Sequence, residues 1–185
     1  MDNDILKPCC AFDGSRRIAA GPLGEVALAV KYATERGAAG PVLAFDEATG
    51  RVIDIDIRGT NDEVIARLRP VAEVRGPGRP KLGVVARAVT LLPRHWDWLN
   101  AQPGGASVTL RKLVEDARRG GKAAVRAAQE AAYRFMSAMA GDYPGFEEAS
   151  RALFANDRAR FAEQIAAWPQ DVRAQVMKMA FGGRP

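Results

Sequence analysis

The sequence predicts an α+β fold with three parts: a small N-terminal sheet with helices in the order ββαββα, a central strand-helix-helix module and a C-terminal helical bundle. Ile53, Ile55 and Ile57 alternate with charged residues, as in a strand with one buried face. Elsewhere, apolar residues recur every three to four positions, which is typical of amphipathic helices. These patterns divide the chain into a small α+β domain (1–74), a basic Pro/Gly linker (75–83), a central module (84–119) and a helical domain (120–185).

The N-terminal domain begins with a predicted hairpin. The apolar stretches CCAF and IAAG are joined by DGSRR, in which Asp13-Gly14 is a strong turn signal. EVALAVKYATER predicts a helix, because Val26 and Val30 lie on one stripe. PVLAFD and RVIDIDIRG predict two more strands, and TNDEVIARL predicts a helix capped by Thr60 or Asn61. We expect the helices to cover one face of this sheet.

The positive charge of the chain is concentrated in its centre. Residues 75–119 carry a net charge of +6, compared with −3 for residues 1–74 and +2 for residues 120–185. A sequence pI near 9.6 with one cationic segment is compatible with a polyanionic partner. A solvated basic face that has no partner is the alternative.

The few cysteine and histidine residues restrict the chemistry that the chain can perform. Cys9 and Cys10 are neighbours, which do not form an ordinary disulfide and are too few for a metal site. We interpret them as small strand residues, one of them buried. His95 is the only histidine, and we expect it to be a packed or surface residue. The sequence therefore predicts no metal and no cofactor.

Carboxylates in the N-terminal domain are the remaining candidates for catalysis. Strand alternation places Asp54 and Asp56 on the solvent side, with no neighbouring histidine or cysteine to join them. A pocket that gathered them with Asp13 or Asp46 would indicate an enzyme. Without that pocket, we expect no enzymatic activity.

The chain shows no sequence signal for a membrane. No apolar run approaches the roughly 18 residues of a membrane span, and the first residues, MDNDILKP, are acidic rather than basic. We expect a cytoplasmic protein.

The linker contains a short motif of basic and turn residues. Gly78-Arg79-Pro80 lies between Arg75 and Lys81 in RGPGRPKLG. This arrangement resembles the AT-hook, whose Gly-Arg-Pro centre lies in the narrow minor groove of A·T-rich DNA. The resemblance implies that Arg79 enters the groove, where the negative potential attracts it. A stiff basic linker is the alternative.

The central module has four signals in a fixed order. VARAVTLL predicts a strand, Pro93 begins the helix PRHWDWLNAQ, Pro103-Gly104-Gly105 forms a turn, and Ser107 caps the helix SVTLRKLVEDARR. In that second helix, an apolar stripe is predicted at Leu110, Leu113, Val114 and Ala117. This order resembles the ribbon-helix-helix family of bacterial DNA-binding proteins.

The ribbon-helix-helix resemblance implies a homodimer that binds DNA. In that family two strands, one from each chain, form a ribbon in the major groove, and the second helix points its N-terminus at a phosphate. The base-reading positions here are Arg87, Val89 and Leu91, of which only Arg87 can hydrogen-bond to a base edge. We therefore expect mainly phosphate contacts, and the predicted nucleic-acid-binding residues are Arg75, Arg79, Lys81, Arg87, Arg94, Ser107, Thr109, Arg111 and Lys112.

The whole chain also resembles an uncharacterised bacterial family that shares the GRPKLGVVAR and VTLLPRHWDWL segments and the helical tail. Two functions remain open at this point. The first is a homodimeric DNA-binding protein that acts as a transcriptional regulator. The alternative is a non-enzymatic interaction or scaffold protein in which the central module only dimerises the chain.

Overall fold

The computed structural model describes residues 4–69, 87–119 and 121–182. The chain forms two compact units. The first combines Met1–Val71 with Val125–Pro185, and the second is Ala72–Ala124. The sequence-based division placed residues 1–74 and 120–185 in separate domains, whereas in the structure these two segments share one unit and one core.

The first unit contains a four-stranded antiparallel sheet in the order β2-β1-β3-β4. A short 3₁₀ turn precedes the sheet, and two helices belong to the same N-terminal segment. The predicted α+β class and the order ββαββα are confirmed. The elements are β1 (Pro8–Asp13), β2 (Arg16–Pro22), α1 (Leu23–Glu35), β3 (Val42–Asp46), β4 (Val52–Ile53) and α2 (Asn61–Leu68).

The central strand β1 is buried on both faces. Cys9 and Ala11 pack with α1, whereas Cys10 and Phe12 pack with helices from the C-terminal part of the chain. The helices of the N-terminal segment therefore cover one face of the sheet, as expected, but the sequence analysis did not anticipate that the C-terminal helices cover the other face. A continuous apolar run such as CCAF is typical of a strand with both faces covered, because successive side chains point to opposite sides.

The last strand is shorter than the sequence predicts. β4 ends at Ile53, although exposure continues to alternate through Arg58, with the isoleucines packed against the cluster that contains α1. Beyond the strand, Arg67 of α2 donates hydrogen bonds to the backbone carbonyls of Asp56 and Arg58. The first residue of α2 follows Thr60, which is its N-cap and forms a reciprocal capping box with Glu63.

Four helices form the C-terminal part of the first unit and pack on the sheet. Phe135, Phe161 and Val176 join Phe12 and Phe45 of the sheet in one core cluster. The chain leaves the helical conformation at 141–145 and at 155–157, and the last helix follows Pro169. The helices are α5 (Gly121–Ala140), α6 (Phe146–Phe154), α7 (Arg158–Gln164) and α8 (Gln170–Phe181).

Polar side chains join the sheet to α8. Gln175 is fully buried, and its amide donates to Glu47 Oε1 at 3.0 Å while its carbonyl accepts from Arg17 Nη1 at 3.3 Å. Lys178 pairs with Glu47 at 2.8 Å, and the backbone N–H of Arg17 donates to Asp171 at 2.8 Å. Because the buried amide of Gln175 is satisfied at both ends, it fixes the position of α8 without an unpaired polar group.

Candidate nucleic-acid interface

The described part of the second unit contains a pair of helices, α3 and α4. α3 spans Pro93–Asn100, with Pro93 in its first turn as predicted. α4 spans Gly105–Arg119. The turn between them requires glycine, because Gly104 has a φ of 90° and a Cβ there would lie 3.1 Å from Val108. From Pro93 onward, the module therefore has the predicted order of a helix, a glycine turn and a second helix.

The start of α4 differs from the sequence prediction. The helix begins at Gly105, so Ser107 lies inside its first turn and is not the cap. Gly104 and Gly105 both have positive φ, so the turn lies where the sequence predicts it, but the helix begins at Gly105 rather than at Ser107. Arg111 still reaches back to this turn, because its Nε donates to the backbone oxygen of Ser107 at 3.1 Å.

Residues 87–92 precede α3 and contain most of the predicted ribbon strand. They form no strand within the chain, and residues 84–86 lie outside the described residues. The predicted strand is therefore not observed in the part of this segment that the structure describes. Val89 is 55% exposed and Leu92 is 49% exposed.

The second unit exposes an unusual share of large apolar side chains. Ten such side chains are exposed among the described residues, and five of them belong to residues 87–119. On α4, Leu113 and Val114 of the predicted apolar stripe are exposed, as is Ala117, whereas Leu110 is half-buried. Leu99 of α3 is buried. The pairing of α3 with α4 therefore leaves most of the α4 stripe open. The five exposed side chains are Val89, Leu92, Trp98, Leu113 and Val114.

The predicted cations of this unit are available for contact. Arg87, Arg94, Arg111 and Lys112 are exposed, and Thr109 is half-buried. No ion pair joins these four cations to a carboxylate within the described residues. The unit thus combines exposed positive charge with the open α4 stripe.

Part of the predicted interface lies outside the described residues. This applies to Arg75, Arg79 and Lys81, and with them to the whole AT-hook-like linker. Their predicted role in DNA binding stays a prediction.

The carboxylates that would indicate an enzyme do not meet in one pocket of the described structure. Because β1 and β3 are antiparallel, with Asp13 opposite Val42 and Asp46 opposite Cys9, these two aspartates lie roughly 13 Å apart along the sheet. Asp56 pairs with Arg58 at 2.7 Å, and Asp54 is exposed. In the parts of the chain that the structure describes, no three His, Cys, Asp or Glu side chains are placed to hold a metal ion. Among the described helices, none has the length and apolarity needed to cross a membrane.

Comparison with known proteins gives one match. Residues 8–180 match the family described as an uncharacterized protein conserved in bacteria, DUF2239. The chain belongs to this family. The DUF2239 match covers both compact units, so the sheet, the α3–α4 pair and the C-terminal helices are parts of one conserved protein. No curated protein and no solved structure matches the chain.

The sequence analysis missed a cavity in the first unit. It has a volume of about 260 Å³ and lies between the β1–β2 turn and the C-terminal end of α1. Arg16 and Arg36 line it, together with Asp13 and Tyr32. Arg16 belongs to the DGSRR turn that the sequence predicted, but no sequence pattern relates this turn to Arg36, which is twenty residues away.

Proposed function

We propose that this DUF2239 member is a cytoplasmic homodimeric DNA-binding protein that acts as a transcriptional regulator in bacteria. The observation that carries the proposal is the composition of the second unit. It presents an open apolar stripe on α4 beside exposed cations that have no acidic partner within the described residues.

The open stripe supports the dimer. Leu113 and Val114 are 45% and 56% exposed, and exposed apolar area of this kind is stabilised when another surface covers it. A second copy of the chain offers the same stripe, and two identical stripes can cover each other around a twofold axis. The unpaired segment 87–92 is available to form a two-stranded ribbon in the same dimer.

The cations support a phosphate-based contact. Arg87, Arg94, Arg111 and Lys112 give a dimer up to eight positive charges that can neutralise phosphates. For each neutralised phosphate, the logarithm of the association constant falls by about 0.9 when the salt concentration rises tenfold. Val89 and Leu91 lack polar groups for the bases, so we expect little sequence preference.

A mobility-shift assay at two salt concentrations tests DNA binding. We expect the full chain to shift A·T-rich and random duplexes at low salt and to lose affinity steeply at higher salt. Replacing Arg87 and Arg111 with glutamine removes four charges per dimer. The slope of the logarithm of the association constant against the logarithm of the salt concentration should therefore become less negative by about 3 to 4. The matched control replaces Arg151 and Arg160 of the C-terminal helices, which are exposed in the first unit, and should bind like the wild type.

Two results would contradict DNA binding. One is the absence of a shift at low salt. The other is a shift that is unchanged when Arg79, Arg87 and Arg111 are replaced together.

The alternative function is a scaffold that dimerises through the same unit and binds no DNA. The apolar side chains of Val89 and Leu91, at the positions where ribbon-helix-helix proteins read bases, favour it. Light scattering separates the two parts of the proposal. L113D/V114D should be monomeric, whereas V52D, which replaces a similarly exposed apolar residue of the first unit, should remain dimeric. A dimeric wild type that fails the mobility-shift assay would favour the scaffold.

A further inference from the structure

The cavity of about 260 Å³ in the first unit has fixed walls. The carboxylate of Asp13 accepts hydrogen bonds from the backbone N–H groups of Ala39 at 3.2 Å and Gly40 at 2.8 Å. The N–H of Gly14 donates to the carbonyl of Pro41 at 3.0 Å. A Cβ on Gly40 would lie 2.9 Å from Gly14 Cα, so loop and turn are in direct contact. These contacts hold the cavity open without a ligand.

The groups that face the cavity are mainly hydrogen-bond donors. Both oxygens of Asp13 already accept backbone N–H groups, and these bonds hold the pKa of its carboxyl below the usual range. Arg16 lies 3.7 Å from Asp13 and remains largely exposed. Arg36 forms no ion pair within the described residues, and the neighbouring Glu35 pairs with Lys31 at 3.3 Å.

Two further details increase the excess of donors. The hydroxyl of Tyr32 accepts a hydrogen bond from Asn61, so its own proton remains free to donate. Backbone N–H groups of Arg36 and Gly37 occupy the carbonyls of Tyr32 and Thr34 at the end of α1. Because these carbonyl oxygens already accept hydrogen bonds, their electrostatic repulsion of a negatively charged ligand is weaker than that of unpaired carbonyls.

The volume and the remaining walls limit the size of the ligand. Small-molecule pockets typically enclose roughly 300–1,000 Å³, so this cavity accepts only a small molecule. Ala29, Ala33 and Ala38 give the rest of the wall an apolar surface. A ligand with a short apolar body and one acidic group fits both properties.

We propose that this cavity binds a small molecule through one oxyanion group, a carboxylate or a phosphate, held between the guanidinium groups of Arg16 and Arg36. Arginine suits this role because its planar donors match both groups with two parallel hydrogen bonds. The Asp13 carboxylate acts as a positioning residue for the loop and for Arg16. The site belongs to the first unit, whereas the proposed DNA contacts belong to the second.

Titration of the full chain with three probes tests the proposal. Benzoate and phenyl phosphate carry the two oxyanions, and benzamide has the size of benzoate without its charge. We expect NMR shift changes at Ala33 and Gly37 with benzoate or phenyl phosphate, and at least tenfold weaker binding of benzamide. The tighter of the two anions identifies the natural acidic group.

Three variants locate the binding site. R16Q/R36Q should weaken anion binding by about tenfold or more, and A33L should abolish it by filling the cavity while retaining a good helix-forming residue. R51Q replaces an exposed arginine at the opposite end of the sheet and should bind like the wild type. Equal binding of benzoate and benzamide would overturn the proposal, as would wild-type affinity in R16Q/R36Q or no binding of either anion at millimolar concentration.

Discussion

The adjacent cysteines show how one residue step along a strand changes the environment of a side chain. Cys9 packs in the cluster with α1, and Cys10 packs in the cluster with the C-terminal helices. Both are fully buried, where the sequence analysis expected one. Burial raises the pKa of the Cys9 thiol to about 11 and that of Cys10 to about 12. Neither thiol is therefore a nucleophile in the folded protein.

We predict that both thiols are unreactive in the native protein. At pH 8 the thiolate fraction at Cys9 is about one thousandth, and the reagent has no access to the sulfur. An aromatic disulfide reagent should therefore label neither cysteine within minutes, and should label both in urea. Ala20→Cys, on an exposed position of β2, is the positive control and should react without urea. Equal rates in native and unfolded wild type would contradict this prediction.

The hairpin between β3 and β4 is constrained both by hydrogen bonds within its turn and by contacts with α5. Asp46 Oδ1 accepts the backbone N–H groups of Ala48 and Thr49, which closes the turn. Arg134 of α5 donates to the carbonyl of Thr49 at 3.0 Å. Gly50 has a φ of 68°, and a Cβ there would lie 1.9 Å from the backbone oxygen of Ala131. The hairpin thus packs backbone to backbone against α5.

We predict that Gly50→Ala destabilises the protein by more than Gly37→Ala. Both glycines have positive φ, so each substitution incurs the cost of a left-handed conformation, about 1–2 kcal/mol. A Cβ at Gly37 has nothing within 4 Å, whereas at Gly50 it must displace α5. We expect an additional loss of about 2 kcal/mol or more at Gly50, measured by urea unfolding. Equal losses in the two variants would show that the contact with α5 is not important for stability.

Most single elements of the fold could be predicted from the sequence, because their signals are local. The Asp13-Gly14 turn, Pro93 at the start of α3 and Pro169 before α8 each act on a few neighbouring residues. The start of α4 was missed because two consecutive glycines permit more than one way of reversing the chain. The end of β4 was missed because exposure alternates through Arg58, although the backbone pairing with β3 ends at Ile53.

The candidate sites could be predicted less completely, because they depend on contacts between residues that are far apart in the sequence. Sequence patterns indicated the cations and the apolar stripe of the second unit. Among the described residues, Arg87, Arg94, Arg111 and Lys112 and three of the four stripe positions are exposed. In the proposed dimer, residues 87–92 pair with a second chain, and such a pairing cannot be inferred from the order of residues in one chain. Arg16 and Arg36 meet at a cavity only because Asp13 holds the loop 37–40 against the β1–β2 turn.

At the scale of the whole molecule, the first unit is built from two distant segments of the chain. Phe12 and Phe45 of the sheet contact Phe135 of α5, with ring centroids 5.5 Å and 4.9 Å from it. Leaving such side chains exposed costs about 1.5–3 kcal/mol each, which is a large share of a typical total stability of 5–15 kcal/mol. One face of the sheet therefore depends on the C-terminal helices.

We predict that residues 1–74 do not fold alone. Without α5–α8, the fragment exposes Cys10, Phe12 and Phe45 on one face of its sheet. It should be unfolded or aggregated by circular dichroism and light scattering, and co-expression with residues 120–185 should restore a soluble complex. F12D within the full chain should cause a comparable loss, whereas V52D, on an exposed position, should be tolerated. A stable, monomeric fragment with native sheet content would contradict this dependence.

The hydrogen bond from Arg17 to Asp171 joins residues 154 positions apart, so it can form only after nearly the whole chain has been synthesised. The strands emerge from the ribosome long before α8 is made. At about 5–20 residues per second, β3 waits roughly 7 to 27 seconds for the helix that completes its core. During that interval Phe12 and Phe45 lack the helices that cover them, so the N-terminal segment exposes apolar side chains that chaperones can bind, and slower translation would lengthen this exposure.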